Sequence, residues 1–181
     1  MDWLNITDRI PETRNPRVTS IAEAICKTHV NGGMRIGCFS PAIPHQPKAE
    51  TADSENPSEC SIRSLFESNA ITDLWPDTAA LTSIPPLNLS SYGSYALEGE
   101  IIELLLSSGA YRHSELSPVS ARTSAASFID CIAGFDRKHL VGFRTVVPWS
   151  NWFYDVAWDH TLVIVDGARS RWWLLCTTDT D

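Results

Sequence analysis

Apolar residues recur along this chain with two different spacings, and each spacing marks its own kind of element. Val18, Ile21, Ala22, Ile25, Cys26 and His29 stand at offsets of 0, 3, 4, 7, 8 and 11. Those offsets share one face of a helix, so a helix is predicted over about 17–29. Asn31-Gly32-Gly33 stops it, and Met34–Phe39 reads as a short strand. A stronger helical pattern begins near Tyr95. Leu97, Ile101, Leu104, Leu105 and Ser108 form its stripe, and Ile102 and Leu106 widen it. A stripe that broad predicts burial on more than one side. Glu98 and Glu100 are expected in its first turn, where they suit the helix dipole. Gly109 is read as its stop. Ser117-Pro118 then supplies a capping side chain followed by a residue that needs no N–H. Ala121, Ala125, Phe128, Ile129 and Ile132 form the inner face of that third helix, and Gly134 ends it.

Beyond Gly134 the spacing shortens. Leu140–Val147, Thr161–Val165 and Trp172–Thr177 read as strands, the last two joined by the hairpin loop Asp166–Ser170. Apolar residues occupy both parities of the hairpin strands, which predicts a sheet covered on both faces. Elsewhere the pattern fails. Pro41, Pro44, Pro47 and Pro57 lie among polar residues, so a flexible proline-rich loop is expected over about 40–60. Ser61 is read as the cap of a short helix with Ile62, Leu65 and Phe66 inside. Pro76, Pro85 and Pro86 keep residues 75–90 irregular. The expected fold is a single α+β domain over 1–181: a small, mostly antiparallel sheet with a C-terminal hairpin, packed by three to four helices.

Composition narrows the functional classes. The 181 residues are 43% apolar and 20% charged, enough to build a core. The net charge is −8, and each half carries 11 acids and 7 bases. No basic run exists, and nucleic-acid binding normally needs one, so no nucleic-acid partner is expected. No apolar stretch is long enough to span a bilayer, and no membrane association is expected. Met1-Asp2-Trp3-Leu4-Asn5 has neither a basic nor an apolar leader region. Together with five scattered cysteines, this predicts a cytoplasmic protein with free thiols.

Residues 149–160 stand out. Trp149, Trp152, Phe153, Tyr154 and Trp158 are interleaved with Asp155, Asp159 and His160. Aromatic walls exclude water and can stack a ring, and a carboxylate beside an imidazole can do acid–base work. His160, Asp159 and Asp155 are the catalytic candidates. Trp149, Trp152, Tyr154 and Trp158 are the ligand-binding candidates, with His139 and Arg144 from the preceding strand region. Geometry restricts a two-carboxylate enzyme. In an extended chain Asp155 and Asp159 lie roughly 13 Å apart, beyond the 5–9.5 Å that glycoside hydrolysis uses. Only a helical turn would bring them to about 6 Å.

Other chemistries have weaker signals. Cys26, His29, Cys38, His45 and Cys60 fit no zinc spacing, and neither metal nor cofactor is expected. Cys131 falls at a helix C-terminus, where the dipole disfavours a thiolate. No phosphate loop, G-x-S-x-G or H-E-x-x-H motif occurs. Two functions are therefore expected in alternative. The first is a small acidic binding protein that recognises a basic protein partner, for example as an immunity-type protein sits on a basic toxin. The second is a small enzyme or ligand-binding domain for a small molecule, with an aromatic pocket built from 149–160.

Overall fold

A computed structural model describes residues 2–42, 59–134 and 136–181. Most of the proline-rich stretch at 40–60 lies outside the described residues. The C-terminal hairpin is the centre of the fold. Strand β5 (His160–Asp166) pairs with β6 (Arg171–Thr178), Val163 opposite Leu174. β4 (Leu140–Thr145) lies on the outer side of β5, and β3 (Ser90–Gly93) beyond it. On the other flank β6 pairs with β2 (Gly33–Pro41), which pairs with β1 (Trp3–Asn5). The sheet has six strands in the order β1-β2-β6-β5-β4-β3, every neighbouring pair antiparallel.

Both faces are covered, as the apolar parities of β5 and β6 require. Leu162, Ile164, Trp173 and Leu175 face one side. There they meet α1 (Pro16–Cys26), α4 (Ser94–Leu106) and α5 (Pro118–Ala133). The α1 stripe is narrower than its pattern: Val18, Ile21 and Ile25 are buried, whereas Cys26 is exposed. Asn15 caps α1, accepting from the Arg17 N–H at 3.0 Å, and Ser117 caps α5, accepting from the Ser120 N–H at 3.1 Å. Gly134 closes α5 with φ +67°. Helix α4 can lie close on β4 because Gly142 is beneath it: a Cβ there would meet Leu97 Cδ1 at 2.6 Å. The helix starts at Ser94, so Glu98 and Glu100 fall past its first turn. Its end is Leu106, earlier than Gly109 implied.

Val163, Val165, Trp172, Leu174 and Cys176 face the other side. They are covered by α2 (Glu59–Phe66), α3 (Asn69–Leu74) and two irregular connections, 75–89 and 146–159. Ile62, Leu65 and Phe66 turn inward as their spacing predicts. The α+β class and the hairpin match the sequence pattern. Among the described residues, α3, β1 and β3 are elements that pattern does not announce.

Candidate functional site

The aromatic segment 149–160 is built as a core layer. Trp149 has no exposed surface. Its ring stacks on Phe66 at 4.3 Å and 13°, and its Nε1–H donates to Thr161 Oγ1 at 2.9 Å. Phe153 packs edge-on against Trp149 and Trp152. The backbone is tied to the 75–89 connection, Leu81 N–H donating to Trp149 O at 2.9 Å and Asn151 N–H to Ala79 O at 3.1 Å. Trp152 is half-buried beneath the Arg35 guanidinium, 4.3 Å from the ring centroid. Arg35 also pairs with Asp77 at 2.7 Å. Trp158 is half-buried and Tyr154 is exposed.

The catalytic candidates separate. Asp159 is 1% exposed and acts as a turn cap, accepting from the Val156 N–H at 3.1 Å and from the Thr178 hydroxyl. Asp155 is exposed at φ +59° in the turn just before. The segment is neither an extended strand nor a helical turn there. His139 stands at the opposite end of the sheet, half-exposed and 3.7 Å from Asp136.

Arg144 and His160 do come together. They sit on neighbouring strands and on the same face, beneath the C-terminal half of α4. Glu100 Oε2 accepts from Arg144 Nη1 at 3.0 Å, and Arg144 Nη2 lies 3.1 Å from His160 Nδ1. A guanidinium only donates, so Nδ1 accepts and the ring carries its proton on Nε2. Burial, then the positive charge of Arg144, hold His160 neutral and push its pKa down to about 4. The three residues border a cavity of about 120 Å³, with Glu103 and Leu104 of α4 and Ser107 just past its end as the other wall. Pockets that take drug-sized ligands measure roughly 300–1,000 Å³. This cavity holds a small polar group or the tip of a side chain.

Glu100, Glu103 and Ser107 are the residues the sequence does not single out. Glu100 and Leu104 sit at i, i+4 on the flank of the α4 stripe, the one signal that could have placed them above the sheet. Leu104 is half-buried because it lines this cavity, where its stripe predicts full burial. His29, just past α1, is 2% exposed. Its Nδ1 lies 2.8 Å from Thr28 Oγ1, and its Nε2 is buried without a partner. Burial lowers the His29 pKa despite nearby Asp179. Among the described residues no three His, Cys, Asp or Glu side chains are placed to hold a metal ion. No helix among them is long and apolar enough to cross a membrane. The chain matches no protein-family model, and neither a curated protein nor a solved structure matches it significantly.

Proposed function

We propose that this protein is a small acidic binding protein whose partner is a basic protein. The observation that carries this reading is where the aromatic segment goes. A pocket enzyme built from 149–160 needs Asp155 or Asp159 in one cavity with His160 and a tryptophan wall. Asp159 caps a turn instead, Asp155 points to solvent, and no tryptophan lines the His160 cavity. Trp149 and Phe153 are interior filling, which fits the binding alternative.

The surface charge supports the same reading. Among the described residues eight lysines and arginines, from Arg14 to Arg171, are engaged in intramolecular ion pairs. Exposed carboxylates such as Glu23, Glu67, Asp73, Glu103, Glu115 and Asp155 have no basic partner there. Arg9, Arg17, Lys27, Arg112 and Arg122 stand outside those ion pairs among the described residues, and the net charge of −8 over the whole chain favours association with a cationic surface. The five cysteines are all free, in keeping with a reducing compartment such as the cytoplasm. An immunity-type protein bound to a basic toxin has this character, by class alone.

The test is binding to purified globular proteins of pI above about 9 and below about 5, at low and physiological salt, with wild type and His160→Ala. Selective, salt-sensitive binding of basic proteins that survives His160→Ala is expected. Equal binding of acidic and basic proteins overturns the proposal. So does a small molecule whose binding is lost in a still-folded His160→Ala variant, which would favour the ligand alternative.

A further inference from the structure

The sheet ends at β3, and among the described residues no strand pairs with its outer edge. Ser90, Ser91 and Gly93 are exposed and Tyr92 is half-buried. A Cβ at Gly93 would meet nothing within 4 Å. No backbone or side-chain hydrogen bond reaches Ser90–Gly93 from outside the sheet among the described residues. Among the described residues the outward N–H and C=O groups of β3 therefore have no partner. Open edges are normally blunted by shortness, a charge, a proline, a bulge or a covering element, and β3 is itself only four residues long. Ser90-Ser91-Tyr92-Gly93 contains no charge and no proline, and pairs with β4 without a break in register. The opposite edge, β1, is only three residues long, follows Asp2 and is packed by α3.

The charge beside β3 selects what could add there. From Thr78 to Tyr111 the chain has three carboxylates, Glu98, Glu100 and Glu103, and no base. All three are on α4, which follows β3 directly. Glu98 is held by Arg137 at the far end of the helix. Glu100 reaches down to Arg144 on β4, the strand next to β3. Glu103, one turn on, borders the same cavity, is exposed, and has no basic partner among the described residues. With Arg144 offsetting one of the two, the rim keeps a net negative charge. Residues at i, i+3 on a helix are about 5–6 Å apart. Alternate residues of a strand are about 6.6 Å apart and share one face. The two spacings are close to one another.

We propose that β3 is a strand-accepting edge, where an extended segment of the basic partner pairs with Ser90–Gly93 and sets alternate lysines or arginines against Glu100 and Glu103. This rests on the acidic-binder reading above and names how the partner is held. Main-chain hydrogen bonds supply affinity, and the α4 carboxylates supply the preference for a basic segment.

The probe is a capped octapeptide of alternating lysine and valine, titrated at low salt. It is compared with two versions N-methylated on every second residue, one in each phase, and with the Glu103→Lys variant. All three peptides carry the same charge. In a paired strand only one phase of N–H groups faces β3. One methylated version is therefore expected to bind about tenfold or more weakly while the other keeps its affinity, since each lost hydrogen bond removes a few-fold or more. Glu103→Lys is expected to weaken the parent peptide several-fold without loss of fold. Equal affinity of the two methylated phases overturns the proposal, because charge alone would then explain binding. A concentration-dependent dimer abolished by Ser91→Pro also overturns it, and assigns the edge to a second copy of the chain. If basic globular proteins bind but no peptide does, only the strand-accepting edge fails. If neither binds, the acidic-binder reading fails with it.

Discussion

The two faces of the sheet are covered by different means. On one, helices of 11, 13 and 16 residues lay down Ile21, Ile25, Ile101, Leu105, Ile129 and their neighbours, and the layer is mostly aliphatic. On the other, the two helices have 8 and 6 residues, and irregular chain does the rest. That layer is aromatic. Trp3, Trp75, Trp149, Trp152 and Trp172 belong to it, five of the seven tryptophans, with Phe39, Phe66, Phe143 and Phe153. A helix turns an inward position toward the sheet every three or four residues, so medium-sized side chains suffice. An irregular connection turns few positions inward, so each must cover more. An aromatic ring buries roughly 150–250 Å² and has few rotamers to lose. A cluster of tryptophans in a loop can therefore mean a sheet face short of helix as readily as a binding pocket.

Truncation on the aromatic face should have the largest effect. Trp149→Ala removes a fully buried ring stacked on Phe66 and leaves Thr161 without its indole donor. The expected loss is about 3–5 kcal/mol in urea unfolding, and Phe128→Ala on the helical face should cost about as much. Milder changes separate the faces. Ile129→Leu conserves volume in a helix-built layer and should cost under about 1.5 kcal/mol. Trp149→Phe leaves a void beside Phe66 and removes the indole donor from the buried Thr161 hydroxyl, and should cost more than that. If Trp149→Ala changed stability by less than about 1 kcal/mol, the loop would not be a structural layer at all.

The same contrast explains what the sequence reveals. The stripes of α1, α4 and α5 and the caps at Ser117 and Gly134 are local and periodic, so they stand out. The two-sided parity of β5 and β6 correctly announces a second layer without saying what forms it. Trp149 carries no local sign of its partner, because Phe66 lies 83 residues away in sequence, with α3, β3, α4, α5 and β4 between them. For this reason the aromatic segment resembles a pocket when read alone. The site residues divide in the same way. Arg144 and His160 lie on strands 16 residues apart that pair directly, and were within reach. Glu100 is 44 residues from Arg144, and only the Gly142 approach of α4 onto β4 joins them.

A second difference between the faces is polar, and pH exposes it. The helical face places His160 near the sheet end, with His29 close by, both held neutral by burial. His160 has a folded pKa near 4 against 6.5 in the unfolded chain, so the unfolded state binds the proton first. Its contribution to stability is complete above about pH 6.5 and declines as pH falls toward about 4. Between about pH 7.5 and about pH 5 the loss should be about 2 kcal/mol, at 1.36 kcal/mol per unit. Urea midpoints of wild type and His160→Gln across that range test it. The variant should show a shallower decline, with a residue left by His29. Parallel curves would mean that His160 titrates normally in the folded protein.

The smallest effects should come from two backbone substitutions, one on each side of the sheet. Gly99 lies mid-way along α4, exposed, with nothing within 4 Å of where a Cβ would stand. A glycine in a helix interior is roughly 0.5–1 kcal/mol worse than alanine, because the unfolded chain has more freedom to lose. Gly99→Ala should therefore stabilise the protein by about that amount while altering no contact. Asp155 offers the reverse case in the loop-built layer. Its φ of +59° is the left-handed region, costly for a residue with a Cβ, though aspartate tolerates it better than most. Asp155→Gly relieves that cost in the folded state but adds freedom to the unfolded one. The two terms oppose, and the net change should lie within about 0.5 kcal/mol. Thermal unfolding of both variants gives the comparison directly. A helical layer that answers to propensity alone, beside a loop layer in which backbone relief brings no gain, would mean that the aromatic contacts fix the conformation of 146–159. A clear gain from Asp155→Gly would mean instead that the turn is strained and held only by the Asp159 cap and the rings behind it.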